Sequence, residues 1–303
     1  MTTLILRRLL QTVPLLLAIG TLTFLLQHLA PGDVLTTLAD RPDLSPEALE
    51  SMRHRFGLDQ PWHVQYLMYL RNLILHHDLG WSITHHRPVF DVIAVAMGNT
   101  LVLTLAGALV TWGLAVPLGV LAAARAHGPL DRALTAFAVL GLSVPEVLSG
   151  LLLLTWAART GVFPVGGMHG LEADMLAPAA RLGDLLHHLV LPALVVGLVP
   201  LATRMRQMRG QMLEALQLDA VTTARAKGLP DARVLQHAWR NALAPMVALF
   251  GLTLGALVSG SLVVETLFSW PGLGAVTLEA LRAQDPWLVM GAVLASSLML
   301  VLG

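Results

Sequence analysis

The chain has 303 residues, 55% of them hydrophobic and only 13% charged, and its 19 basic and 19 acidic side chains cancel. Soluble domains carry about 25% charge, so this composition belongs to a membrane protein, and the cancelled charge argues against a nucleic-acid partner. Cysteine is absent, which excludes disulfides, thiolate metal sites and cysteine nucleophiles.

A helix that crosses a bilayer needs about 20 mainly apolar residues, because every backbone polar group must be satisfied internally once water is excluded. Six segments qualify: 9–29, 97–124, 133–158, 185–203, 241–264 and 286–303. All lack Asp, Glu, Lys and Arg except the third, which holds Glu146. The expected fold is therefore all-α with six transmembrane helices. The first segment follows Arg7 and Arg8, runs too long for a signal peptide and ends in HLAPGD without a small-x-small cleavage site, so residues 1–29 read as a retained anchor. Residues 30–96 read as an external helical subdomain, with PEALESMRHRFGL opening on Ser45 as N-cap and WHVQYLMYLRNLIL following as a second helix.

Residues 97–303 hold the other five spans and a charged loop, 204–240. A cytoplasmic N-terminus places eleven of the 19 basic residues inside: Arg7, Arg8, Arg125, Arg132, Arg204, Arg206, Arg209, Arg225, Lys227, Arg233 and Arg240. Basic residues favour the inner side, so this orientation is the expected one. Within the loop, Leu201, Met205, Met208, Met212 and Leu216 recur at spacings of three and four, the apolar face of a helix that continues out of the fourth span. Lys227, Gly228 and Pro230 then give a basic last turn, a glycine past the helix end and a proline beyond, the composition of a left-handed cap. Asp231 is positioned to cap the next helix, DARVLQHAWRNAL. The loop thus reads as two helices joined by a tight turn on the cytoplasmic side.

These residues carry a resemblance. TARAKG (Thr223–Gly228) followed by RNALAP resembles the EAA loop of ABC importer permeases, in the dipeptide, oligopeptide and nickel branch. RRLLQTVPLLLAIGTLTFLLQHLAPGD, GLDQPWHVQYLMYLRNL, HHDLGWSITHHRPVFDVI, LPALVVGLVPLATRMRQMRGQMLEAL and VVETLFSWPGLG look like the same branch, in its order and along the whole chain. Two departures stand out. Thr222 and Thr223 occupy the place where the general loop has Glu before Ala224, and the chain stops at Gly303 inside an apolar run that relatives complete and follow with a short basic tail.

The resemblance implies a type I ABC importer permease in the plasma (inner) membrane of a bacterium or archaeon. It implies pairing with a second, paralogous permease as a heterodimer, one or two ATP-binding subunits, and an external substrate-binding protein. ATP and Mg belong to the partner ATPase subunits: this chain has no G-x-x-x-x-G-K-[ST] loop to cradle phosphates, so no catalytic residue is expected in it. The coupling segment implied is Ala220, Thr223, Ala224, Arg225, Ala226, Lys227 and Gly228, a short helix whose small residues permit close docking. A nickel or metal-chelate permease is the alternative within the branch. A secondary transporter or channel is the alternative outside it, opposed by the lack of an internal repeat.

Four further features invite a reading. Glu146 falls near the middle of the third span, where an ionised side chain costs roughly 2.5–3.5 kcal/mol on insertion scales; it is either a pathway-lining acid or a structural hydrogen-bonding group. Pro145 beside it frees a backbone carbonyl and kinks the helix. Glu265 stands at the outer end of the fifth span, before a Pro271–Gly272 turn, which reads as a gate-flanking loop or a plain helix-end acid. The pairs His76–His77, His85–His86 and His187–His188 suggest metal recognition, yet adjacent residues cannot share a helix face, and no metal site is expected.

Overall fold

The computed structural model describes residues 2–29, 46–55 and 57–302. The expected cap Ser45 and residues 30–45 of the expected external subdomain lie outside them. The chain divides into two compact units, residues 1–100 with 271–302 and residues 101–270.

In the first unit, α1 (Thr2–Leu29) packs along α11 (Pro286–Leu302), with Gly20 facing Met290 and Leu294. The last predicted span thus lies beside the first. Between them in sequence come α2 (Pro46–Arg55), α3 (Trp62–His76), a two-residue hairpin (β1, Trp81–Ser82; β2, Arg87–Pro88), the start of α4 (Val89–Ala124), and α10 (Leu273–Arg282). Phe24 meets Tyr66 at 5.2 Å between ring centroids, and Tyr69 stacks on Trp287 at 5.6 Å, so α3 is fastened to both long helices. Gly291 permits a close crossing, since a Cβ there would stand 2.6 Å from Val89 and Ile93 of α4.

Asp285 organises this unit. It is fully buried, accepts Ser82 Oγ at 2.8 Å and the Thr84 amide at 3.0 Å, and caps α11 by accepting the Leu288 amide at 3.2 Å. Asp before Pro at a helix start is a local cap signal, whereas its hold on the hairpin lies more than 200 residues away in sequence. Asp285→Ala removes the cap and strands two buried donors and the half-buried Thr84 amide, and is expected to destabilise the protein by about 2–4 kcal/mol. An unfolding midpoint in mild detergent titrated with SDS reads the loss, and Asp285→Asn should recover part of it.

The second unit is built around α7 (Pro178–Ala215), which packs against α5 (Pro129–Ser143), α6 (Glu146–Thr160) and α9 (Asp231–Leu267). The expected apolar face is seen: Leu201, Met205, Met208 and Met212 are all buried. Without a hydrophobic drive inside lipid, helices associate by close packing of small residues. Here a Cβ on Gly197 would sit 2.8 Å from the Gly107 carbonyl of α4, and one on Gly119 would sit 2.7 Å from Met208. Thr111 donates to the Gly197 carbonyl at 2.9 Å across the same seam.

Among the described residues, Leu10–Leu29, α4 and α7 are long and apolar enough to cross a membrane, and α5 with α6 makes a fourth such span if the bent pair is taken together. The fifth and sixth predicted spans fall on α9 and on the shorter α11. The third departs from expectation: it is broken, not kinked. Val144 is extended (φ −90°, ψ 119°), α5 ends before it, and α6 leaves at 97°. Proline disfavours helical backbone at the residue before it and lacks the N–H that would continue the ladder.

Candidate coupling segment and pathway residues

The charged loop is folded. After α7 a tight turn leads into α8 (Asp219–Ala226), and Gly228 follows with φ +70°. The Gly228 amide donates to Arg225 O at 2.9 Å and the Leu229 amide to Ala224 O at 3.3 Å. Those two bonds are the pair that closes a helix in a Schellman motif. Leu229 and Ala224 complete it by joining one apolar cluster with Met212, Val221, Val234 and Ala238. A Cβ on Gly228 would meet nothing within 4 Å, so glycine is needed there for its backbone alone.

Two expectations change here. Ala224 is buried with Val221 against α9 and so does not share an outward surface with Ala220 and Ala226. Its spacing of three from Val221 puts both on the inner stripe. The outward residues are Asp219, Ala220, Thr222, Thr223, Arg225, Ala226, Lys227 and Gly228. Asp231 is not the cap of α9. Pro230 holds that position with φ −63° and ψ 148°, and Asp231 lies in the first turn, where its charge faces the helix N-terminus.

A second device steadies the same region. Arg209 of α7 grips Asp131 of α5 with both arms, Nε to Oδ1 at 2.6 Å and Nη2 to Oδ2 at 2.8 Å, while the His127 amide donates to Oδ2 at 2.8 Å. Asp131 is 3% exposed. Sequence reasoning counted Arg209 as inner charge and passed over Asp131, because partners 78 residues apart leave no local signal.

The acids of the membrane region fall in different settings. Glu146 is half-buried in the first turn of α6, not at mid-helix, and Pro145 is the residue before that helix. Glu265 is fully buried and accepts Ser261 Oγ at 2.9 Å. Its carbonyl takes the Trp270 amide at 2.8 Å, closing α9 around Ser269, a non-glycine residue at φ +51°. The loop after α6 docks there, with the Gly167 amide donating to Phe268 O at 2.8 Å. In the first unit, Pro271 O accepts Asn99 Nδ2 at 2.8 Å, and the Leu273 amide following Gly272 donates to Thr100 Oγ1 at 2.7 Å, so this turn anchors α10 to α4.

The histidine pairs are scattered. His77 caps α3 in the left-handed region, and His85 approaches Glu279 at 3.6 Å. His187 Nε2 donates to Val162 O, and His188 Nδ1 to Asp184 O. Asp184 also meets His169 Nδ1 at 3.1 Å. Among the described residues no three His, Asp or Glu side chains gather closely enough to hold a metal ion.

Residues 115–303 match the family described as binding-protein-dependent transport system inner membrane component, and residues 1–104 match its N-terminal region. The chain is 36% identical to an oligopeptide transport system permease protein of Bacillus subtilis, over 99% of this chain and 93% of that protein. It is 36% identical to a dipeptide transport system permease protein of Escherichia coli K12, over 98% and 93%. A di/tripeptide transport system permease protein of Pseudomonas aeruginosa is 35% identical, over 100% and 94%. A loop folded as a buttressed helix and turn, on a bundle of apolar helices, thus accompanies similarity along the whole length, and the chain belongs to the family of binding-protein-dependent transport system inner membrane components.

Proposed function

We propose that this chain forms half of the translocation pathway of an ATP-driven importer of di- or oligopeptides. The observation that carries the reading is near-full-length similarity to three permeases whose names specify peptides. In this reading the N-terminus and residues 204–240 are cytoplasmic, and the outward residues of α8 meet an ATP-binding subunit. A second, paralogous permease completes the pathway, an external binding protein delivers the peptide, and ATP with Mg is held and hydrolysed by the partner subunits. The chain transmits; it does not catalyse.

Within that frame, α8 suits a docking role. It is only eight residues long, exposes small side chains with Asp219 at its start and Arg225 at its end, and is backed by a buried cluster that would pass on a push without yielding. Glu146, at the break between α5 and α6, is the acid we assign to the pathway. Glu265, buried and bonded, we assign to holding the α9 terminus beside the gate-flanking segment that begins at Pro271 and Gly272.

Reconstitution tests the whole reading. The chain, purified with a second permease, ATP-binding subunits and an external binding protein, is expected to drive accumulation of a labelled dipeptide in vesicles only when ATP is supplied. ATP-independent accumulation would place it among secondary transporters, and accumulation of nickel in place of peptide would favour the metal branch.

A further inference from the structure

A cleft of about 670 Å³ lies in the second unit along the first turns of α5, beside the Asp131–Arg209 clasp. Arg132, Thr135, Ala136, Val139 and Leu140 line it at spacings of three and four, so one face of α5 forms its wall. Asp131 and Ala138, on the neighbouring stripe, are buried against α7, whereas Arg132, Ala136, Val139 and Leu140 are exposed. Among the described residues the Arg132 guanidinium and the Thr135 hydroxyl have no partner. The acid in the lining is already satisfied, since Asp131 takes both arms of Arg209 and the His127 amide. Arg132 is thus an uncompensated cation at the foot of an apolar stripe.

We infer that this cleft holds an anionic phospholipid, its phosphate against Arg132 and Thr135 and one acyl chain along Ala136, Val139 and Leu140. Position selects the occupant. Arg132 directly precedes the third predicted span, and Leu140 lies eight residues further on, about 12 Å along the helix axis. The same face therefore begins at the level of headgroups and runs into hydrocarbon. A water-soluble ATP-binding subunit can reach Arg132 but cannot follow the stripe inward, and a free phosphate would leave Val139 and Leu140 uncovered. A phospholipid meets both ends at once. The guanidinium offers a fork of donors that matches phosphate oxygens, and the Thr135 hydroxyl adds one more. Basic pockets beside membrane helices on the cytoplasmic side take anionic headgroups in this way. A choline headgroup carries the same phosphate, but its own cation offsets the attraction of Arg132, so the site should prefer lipid with net negative charge.

The test uses the assembled complex in nanodiscs of phosphatidylcholine with a trace of photoreactive lipid, either phosphatidylglycerol or phosphatidylcholine, carrying a diazirine on its acyl chain. Peptides covering residues 136–140 should be labelled several-fold more by the phosphatidylglycerol probe. Leu105 and Leu109, exposed on α4, should take both probes alike. Arg132→Gln should bring the two probes level at 136–140 and leave Leu105 and Leu109 unchanged. Salt at about 1 M, which confines charge interactions to about 3 Å, should shrink the excess in the unmodified protein, so the test stands even if the variant fails to assemble. Equal labelling by the two probes in the unmodified protein, or an excess that survives Arg132→Gln, overturns the inference. Loss of the excess to millimolar inorganic phosphate at constant ionic strength also overturns it and gives the cleft to a free anion. Absence of label from both probes overturns it too and gives the face to a partner subunit. The inference rests on the orientation proposed above, which puts Arg132 inside, but labelling is read without transport, so failed peptide uptake would count against the importer reading alone.

Discussion

Gly228→Val is expected to leave the chain inserted and paired while separating ATP hydrolysis from peptide uptake. No span is touched, and no neighbour stands within 4 Å to clash with a new side chain, so the whole effect is conformational. Holding a residue with a Cβ in the left-handed region costs about 1–2 kcal/mol, more when it is β-branched. That is comparable to the two hydrogen bonds that close the turn, each worth about 1 kcal/mol net. The Schellman motif should therefore open, pulling Leu229 from its cluster and releasing α8 from α9. Uptake should fall about tenfold if the docked geometry loses roughly 1.4 kcal/mol. Gly228→Asn, which tolerates this backbone, should lose far less. The measurements are co-purification of the ATP-binding subunits, substrate-stimulated hydrolysis and uptake in the same vesicles. Normal values for valine in all three would remove α8 from the coupling role.

Loss of either partner of the Asp131–Arg209 clasp should cost stability on the same scale as Asp285→Ala. Removing one partner of a well-covered ion pair leaves the other desolvated and alone, which typically costs about 3–5 kcal/mol. Arg209 is 26% exposed at its side chain, so the lower end, about 3 kcal/mol, applies after allowing for solvent screening. Asp131→Ala also strands the His127 amide. Arg209→Lys should be nearly as damaging as Arg209→Ala, since an ammonium cannot grip both carboxylate oxygens at once. The double alanine variant should cost clearly less than the two single losses added together, the signature of groups that act through each other. SDS-titrated unfolding of the detergent-purified complex reads all four variants. Strict additivity would mean that the pair contributes nothing jointly.

Legibility in the sequence followed the range of each interaction. The apolar segments and the methionine face were readable because hydrophobicity and a period of 3.6 are local properties. The Gly228 cap was readable because a helix terminus is specified by four or five consecutive residues. Glu146, read near the middle of one continuous span, stands at the start of α6 because Pro145 signals an interruption without saying whether the ladder bends or stops. Ala224 was grouped with the small docking residues, when its spacing of three from Val221 puts it on the inner stripe. The Asp131–Arg209 clasp and the hold of Asp285 on Ser82 join residues far apart in sequence, and neither end announces its partner. The glycine seam of Gly107, Gly119 and Gly197 belongs with them, since its meaning lies in what presses against each glycine.

One dimension of α9 bears on how a small event at its base is felt elsewhere. The helix runs from Asp231 to Leu267 with Pro245 inside it, 37 residues, or about 55 Å at 1.5 Å per residue. It begins directly after the turn that closes α8 and ends at the buried Glu265 and the docked loop after α6. A rod of that length pivoting by about 5° about its α8 end sweeps its far tip through about 5 Å, while residues near the pivot scarcely shift. Mechanical advantage would thus favour the distant end: were α9 to turn as one rod, a displacement of α8 too slight to disturb the cluster beneath it would become, at Glu265, a movement about as large as one helical turn.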